Sequence, residues 1–346
     1  HAQGGDALVW AFTGGDISTL NLALATDGNS LVSGAVIFSN LFRVDPATGL
    51  PLPNLATWEI SPDGLSYTFT LKEGIVWSDG VPITSADVKF TYDAIMSDQV
   101  QSPRKADMAA IASFEIVDER TFIITLNAPN CSIWGSAFAS LNPLPARKFA
   151  PDFSDFMTSE FNTAPDVGSG PYLFDERAPD EYLRLKANPL YHMGEPKIPA
   201  LVFRIIADPA TQNQAVETGA VDYAFMYPED FSQIPDTNMV NIYTFALNNA
   251  PILMLNNQDP TDPQPAYDEN GNLNELVPNK FFGDVRVRQA VAMGYDKSAL
   301  AIVAGEGSEP LTGPITPMFY DTFDLSGIEP WPVSYTHLTL PTIYSV

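Results

Sequence analysis

A serine or cysteine nucleophile needs a base, usually histidine, and this chain offers three: His1, His192 and His337. His1 is terminal, and His337 sits in a tail that follows no helix or strand period. His192 lies in Asn188-Pro-Leu-Tyr-His-Met-Gly, a turn-like run where a solvated or hydrogen-bonded imidazole is expected. No G-x-S-x-G, H-E-x-x-H, P-loop or G-x-G-x-x-G pattern occurs. Gly168-Ser169-Gly170-Pro171 lacks the lysine and glycine spacing of a phosphate loop and reads as a tight turn. The acidic run from Asp268 alternates oxygen ligands as a calcium loop does. Leu273 stands where such a loop needs glycine, and Asn279 where it needs glutamate, so an Asn270-Gly271 hairpin turn is the better reading. Forty-two acids guarantee many accidental carboxylate pairs, which leaves an acid-pair glycoside hydrolase as an alternative. Trp58, Trp77 and Trp134 read as core rather than as a ligand platform.

The elements that would carry such residues alternate between strand and helix. Leu8–Phe12 reads as a first strand, followed by a Gly14-Gly15-Asp16 turn. Ser30–Phe42 is a helix candidate, capped by Ser30 and with Val32, Val36, Ile37 and Leu41 on one face. After a turn at Ser61–Gly64, Tyr67, Phe69 and Leu71 alternate with polar residues as a half-buried strand does. Thr84-Ser85-Ala86-Asp87 is a capping box, and Val88, Tyr92, Ile95 and Met96 continue at helical spacing. Phe114–Val117 and Thr121–Leu126 flank a hairpin turn. Asp208-Pro209 opens a helix that Gly219 closes, and Val221–Phe225 resumes as a strand. Asp284 caps a helix to about Met293, and Asp296 one that Gly305 ends. This mixture predicts α/β structure in more than one domain, with Asn248–Pro265 as the crossing between them.

Composition narrows the function classes. The 346 residues carry 42 acids against 17 bases, a net charge of −25, with no basic cluster to meet nucleic-acid phosphates. The acid excess reads as a solvated surface. No run approaches the ~18–20 apolar residues of a membrane span. One cysteine, Cys131, excludes an intramolecular disulfide framework. The chain opens without the charged and apolar regions of a signal peptide, although Ala2 fits the last small residue of a cleavage site. Pro332–Val346 contains no Asp, Glu, Lys or Arg and reads as a non-native scar.

Five segments in order carry a resemblance. Leu55-Ala-Thr-Trp-Glu-Ile-Ser-Pro-Asp-Gly runs through Trp77-Ser-Asp-Gly-Val-Pro-Ile-Thr-Ser-Ala-Asp-Val-Lys-Phe90. Gly168-Ser-Gly-Pro-Tyr172, Asn188-Pro-Leu-Tyr-His-Met-Gly-Glu-Pro196, Glu217-Thr-Gly-Ala-Val-Asp222 and Phe282-Gly-Asp-Val-Arg-Val-Arg-Gln-Ala290 follow. Together they resemble the family 5 extracytoplasmic solute-binding proteins, the peptide receptors of ABC importers and their relatives, over about Leu8 to Pro317.

That resemblance implies a two-lobed periplasmic-binding-protein (Venus flytrap) α/β fold with mixed sheets. The first-lobe core would comprise 1–45 and 165–245, an inserted subdomain 46–164, and the start of an incomplete second lobe 246–331, with the scar at 332–346. It implies no catalysis and no cofactor or metal. The expected role is a monomeric extracytoplasmic receptor that holds a peptide or similar small solute between lobes and presents it to ABC permease subunits. A ligand sensor for a signalling partner would have the same sequence class. Ligand-facing positions carried over are Thr26, Asp27, Gly28, Arg104, Phe225, Tyr227, Ile252, Met254 and Asn256. The apolar Ile252 and Met254, and the absent distal half of the second lobe, widen the candidate solutes beyond peptides to sugars, opines, nickel complexes or haem. The absence of cysteine near residue 1 argues against a retained lipid anchor.

Overall fold

The computed structural model describes residues 7–225, 240–241, 243, 255–262, 277–294, 296 and 299. By compactness the chain divides into two units, His1–Met226 and Tyr227–Val346. The expected Asn270-Gly271 turn, the strand at Ile252–Leu255 up to its last residue, most of the helix from Asp296, and the 332–346 tail lie outside the described residues.

The first unit is mixed α/β. Its central sheet, among the described residues, has the order β11-β1-β10-β9-β8. Strand β1 (Ala7–Phe12) runs parallel to both β10 (Ala200–Ile205) and β11 (Tyr223–Ala224), while β9 (Tyr182–Ala187) and β8 (Tyr172–Ala178) complete the sheet in antiparallel pairs. Phe12 and Phe203 stack at 4.3 Å, and Trp10 packs edge-on against both. A short hairpin, β2 (Phe42–Val44) with β3 (Pro51–Pro53), leads into the inserted segment.

The inserted segment has its own antiparallel sheet, β4-β5-β7-β6, from Ala56–Ile60, Ser66–Leu71, Thr121–Leu126 and Ile111–Ile116. The expected alternation holds: Tyr67, Phe69 and Leu71 face inward, Tyr67 in register with Ile124 and Phe69 with Phe122 on β7, and Leu71 with Ala56 on β4. Phe69, Phe122 and Phe114 form a stacked ladder at 5.0–5.2 Å. Trp77 is fully buried, and Trp58 and Trp134 pack 4.6 Å apart against the same core.

Helix α2 (Ser85–Met96) begins where the capping box places it. The Thr84 N–H donates to the Asp87 carboxylate at 3.0 Å, and Ala146 N–H reaches its other oxygen at 3.1 Å. A short helix α3 (Ala137–Ser140) follows the aromatic cluster. Asp208 caps α4 (Pro209–Glu217), and Gly219 ends it at φ +70°. In the second unit Asp284 caps α5 (Val285–Met293), and Arg288 reaches back to the carbonyls of Phe282 and Gly283.

Helix α1 corrects one expectation. It spans Gly28–Ile37, and its cap is Asp27 rather than Ser30. A carboxylate accepts more strongly than a hydroxyl, so Ser30 becomes a donor to Asp27, through both N–H and Oγ at 2.7 Å. Val32 lies 36% exposed, and Leu41 falls beyond the helix. The stop comes from tertiary structure: the Ser169 and Gly170 N–H groups take the Ile37 carbonyl at 3.0 and 2.7 Å.

Glycine is required at that junction. A Cβ on Gly170 would stand 2.3 Å from the Val36 carbonyl oxygen, and one on Gly168 2.7 Å from that of Ile37. The same turn receives Ser78 N–H at the Gly168 carbonyl (2.9 Å) and the buried Asn188 amide at the Gly170 carbonyl (2.8 Å). Partway along α1, Gly34 lets Leu20 and Leu22 pass where a Cβ would meet them at 2.7–2.9 Å.

Gly170→Ala should therefore lower unfolding free energy by about 1–3 kcal/mol or more, because backbone must move. Gly15→Ala, where a Cβ meets nothing within 4 Å, should stay within about 0.5 kcal/mol. Urea denaturation of the two variants compares them directly, and equal losses would refute the close-contact account.

Candidate functional site

In an open parallel sheet, ligands gather at the carboxyl ends of the strands. Here β1, β10 and β11 point those ends the same way. The chain leaves β1 through a turn with Gly14 at φ +86°, then crosses this edge as residues 13–20. Asp16 pairs with Arg177 on β8 at 2.6 Å, both side chains largely buried, and Arg177 also donates to the Ile17 carbonyl. Asn29 ties the start of α1 to the same loop, its amide donating to the Thr13 and Gly15 carbonyls at 3.0 and 2.8 Å.

Thr26, Asp27 and Gly28 form the entry to α1 beside that loop. Thr26 and Gly28 are exposed, and the space where a Cβ of Gly28 would stand is open. Asp27 is engaged within the protein, accepting from Ser30 and from Ser18 Oγ at 2.6 Å. Burial pushes its carboxyl up, but the bonds from Ser18 and Ser30 outweigh that and hold it below the usual carboxylate range. It works as a brace for the turn.

Phe225 follows β11, one residue past Ala224, which registers with Ala11. It thus lies next to the end of β1, half-buried. Arg104 is half-buried, and its Nη2 donates to the Ala25 carbonyl at 2.9 Å. Ser102 Oγ holds the Ala23 carbonyl at 2.6 Å. Ser102 and Arg104 therefore grip the strap that carries Thr26–Gly28. Asn256, in the second unit, is exposed and its side chain accepts from Gln258 N–H. Tyr227, Ile252 and Met254 lie outside the described residues.

A pair of asparagines that the sequence reading passed over fixes the strap from beneath. Buried Asn21 donates to Asn162 Oδ1 at 2.9 Å, while the Asn162 carbonyl accepts from Leu20 N–H and Thr19 Oγ1. The one available signal was a polar residue interrupting the apolar run from Leu20 to Ala25.

Alongside α1 runs a groove of ≈580 Å³. Leu31 and Ala35 line it from the helix, and Arg43, Arg104, Asn142 and Tyr191 also line it. Among the described residues no three His, Cys, Asp or Glu side chains gather as a metal ion would require, and no helix is long and apolar enough to cross a membrane.

His192 is a joint between segments. Asn54 donates its amide N–H to the Asn40 carbonyl at 2.8 Å, so its oxygen faces His192 Nε2 at 3.0 Å as acceptor. Nε2 then carries the proton, and Nδ1 is buried without a protein partner. Burial, with Lys72 adding to it, holds the imidazole down to about 4. No serine or cysteine bonds the ring among the described residues.

Three kinds of comparison bear on this arrangement. The family model described as bacterial extracellular solute-binding proteins, family 5, matches residues 51–330. A Brucella ovis protein named as an ABC transporter peptide-binding protein is 35% identical over 178 residues, 51% of this chain and 33% of that protein. The oligopeptide-binding protein AppA of Bacillus subtilis is 26% identical over 308 residues, 88% of this chain and 53% of AppA. Its solved complex with a nonapeptide has the same fold, with TM-score 0.74 and 22% identity over 93% of this chain and 60% of that one. NikZ of Campylobacter jejuni, solved with Ni(L-His), gives TM-score 0.65 and 27% identity over 86% of this chain and 54% of that one. The chain thus spans between a third and three-fifths of the length of these relatives.

For His192 the unfolded imidazole, near 6.5, takes up a proton before the folded one near 4. The stability it contributes is complete above about pH 6.5 and is lost as pH falls through 4. After discounting for solvent, wild type should lose roughly 1–2 kcal/mol more than His192→Gln over that interval. Urea midpoints at pH 4 and 6.5 measure this, and parallel losses in both proteins would count against a buried neutral ring.

Proposed function

The chain belongs to the bacterial extracellular solute-binding proteins of family 5, and from that premise we propose that it is the solute receptor of an ABC importer. It takes up a peptide or a similar small solute outside the cytoplasm and delivers it to a membrane permease, catalysing nothing itself. The observation that carries the reading is the family match across 51–330, whose motifs Trp77–Asp87, Gly168–Gly170 and Asn188 converge physically on one junction. Relatives named for peptide binding, AppA and the Brucella protein, favour a peptide. NikZ, solved with a nickel–histidine complex, is a relative of similar fold with a different cargo.

In this reading the solute meets the first unit at the exposed turn Thr26–Gly28, with Phe225 at the adjoining strand end and Arg104 steadying the strap. Asp27 acts indirectly, through the cap. Tyr227, Ile252, Met254 and Asn256 are the further contacts that the family resemblance assigns. The fixed network of Asp27, Asn21 and Arg104 suits binding, because a preformed turn gives up little conformational entropy when a ligand arrives.

Native mass spectrometry of the purified protein is the direct test. A ladder of co-purified peptide masses is expected, and a bare protein mass would count against a peptide cargo. Adding a bound peptide at a hundredfold its Kd should raise stability by about 2.7 kcal/mol, read as a shift in melting temperature. Tyr227→Ala should weaken that shift while the ligand-free melting temperature holds, and an undiminished shift would remove Tyr227 from the site.

A further inference from the structure

Large apolar side chains exposed on the first unit mostly stand among uncompensated acids. Ile60 has Glu59 and Asp63 beside it, Val117 has Glu115, Asp118 and Glu119 against Arg120 alone, and Met157 lies among Asp152, Asp155 and Glu160. The segments 42–54 and 188–198 differ. Together they expose Val44 (57%), Leu50 (62%), Leu190 (44%) and Met193 (58%). Arg43 and Lys197 offset their two acids, Asp45 and Glu195. In a protein of net charge −25, these segments form a neutral, apolar patch.

Hydrogen bonds hold the two segments to each other and in shape. His192 Nε2 donates to Asn54 Oδ1 at 3.0 Å, and Phe42, Val44, Asn54 and Tyr191 line one groove. In the hairpin turn, Asp45 N–H donates to the Leu50 carbonyl at 2.9 Å and Gly49 N–H to the Asp45 carbonyl at 2.8 Å, with Gly49 at φ +70°. The Asp45 carboxylate accepts from Ala47 N–H at 2.9 Å. In the second turn, Asn188 Oδ1 accepts from Leu190 N–H at 3.0 Å, and the Tyr191 carbonyl from Gly194 N–H at 2.8 Å. Two braced turns thus share one joint, and each exposes apolar side chains.

Turns already ordered give up little entropy when they are covered. The headgroup region of a membrane buries apolar side chains, and its anionic lipids repel carboxylates. A second copy would bring another −25 to the contact, whereas a zwitterionic lipid surface brings no net charge. We propose that this patch rests on a lipid surface, with Val44, Leu50, Leu190 and Met193 entering the headgroup region. The inference goes beyond the receptor reading and does not depend on the cargo: it assigns the face of the first unit that turns to the membrane.

Flotation of the full chain with phosphatidylcholine vesicles tests this. The protein should float with them, and Leu50→Ser combined with Met193→Ser should lower the partition coefficient about tenfold or more. The melting temperature should hold, because both side chains are exposed. Val117→Ser, at a comparably exposed apolar position outside the patch, should float as wild type does. Phosphatidylglycerol vesicles should bind the protein more weakly at low salt and recover as salt is added. The proposal is overturned by protein that stays down with phosphatidylcholine, by flotation that survives the double substitution, by an equal loss in Val117→Ser, or by tighter binding to phosphatidylglycerol. A doubled mass in sedimentation that the double substitution returns to a single one would also overturn it, in favour of a second copy on the patch. The receptor reading fails separately, on a bare mass in native mass spectrometry.

Discussion

Helix α1 sits in contacts too short for any side chain, and the arrangement of the first unit depends on them. Its last carbonyls meet the backbone of Ser169 and Gly170 directly, and that turn also accepts bonds from Ser78 and Asn188. Three segments separated by scores of residues therefore share one backbone junction. A seat made of backbone cannot be adjusted by changing a rotamer, so it fixes α1 along its length and, at the far end, fixes the turn at Thr26–Gly28. The backbone groups of Ile37, Gly168, Ser169 and Gly170 that meet there are paired, which is the condition for burying them.

What was legible in the sequence was whatever is decided locally. Thr84-x-x-Asp87, Asp208-Pro209 and Asp284 each start a helix within a few residues, and each does so in the structure. The period of two at Tyr67, Phe69 and Leu71 likewise needs only neighbours to be read. At α1 two suitable caps stood three residues apart, and Asp27 prevailed over Ser30 because its carboxylate takes several donors at once. The end of that helix was illegible for a different reason: it is imposed by residues 168–170, far along the chain. Parallel pairing of β1 with β10 and β11 was equally hidden. Of the site, Thr26–Gly28 and Arg104 were reached only through family resemblance, since exposed Thr and Gly carry no periodic signal. Arg43 and Tyr191 emerged only once the groove had walls.

The joints inside the first unit are mostly neutral. Asn21 with Asn162, Asn54 with His192, and Asn188 with the Gly170 carbonyl are amide bonds that lose little when ionic strength changes. Most ion pairs lie at the surface, where each contributes little. Asp16–Arg177 is the more protected pair, and it closes the loop over the sheet edge. The protein can thus carry a large acid excess on its surface while its internal register is held by groups that salt does not screen.

The order β11-β1-β10 also fixes a sequence of events in time. Strand β1 ends at Phe12, and the partners that flank it begin at Ala200 and Tyr223. At ribosomal rates of 5–20 residues per second, β1 waits on the order of ten to forty seconds for its first parallel neighbour. The inserted sheet, complete by Leu126, has all its pairings available long before. The inserted sheet therefore has all its strands on hand before the central sheet has the two that flank β1.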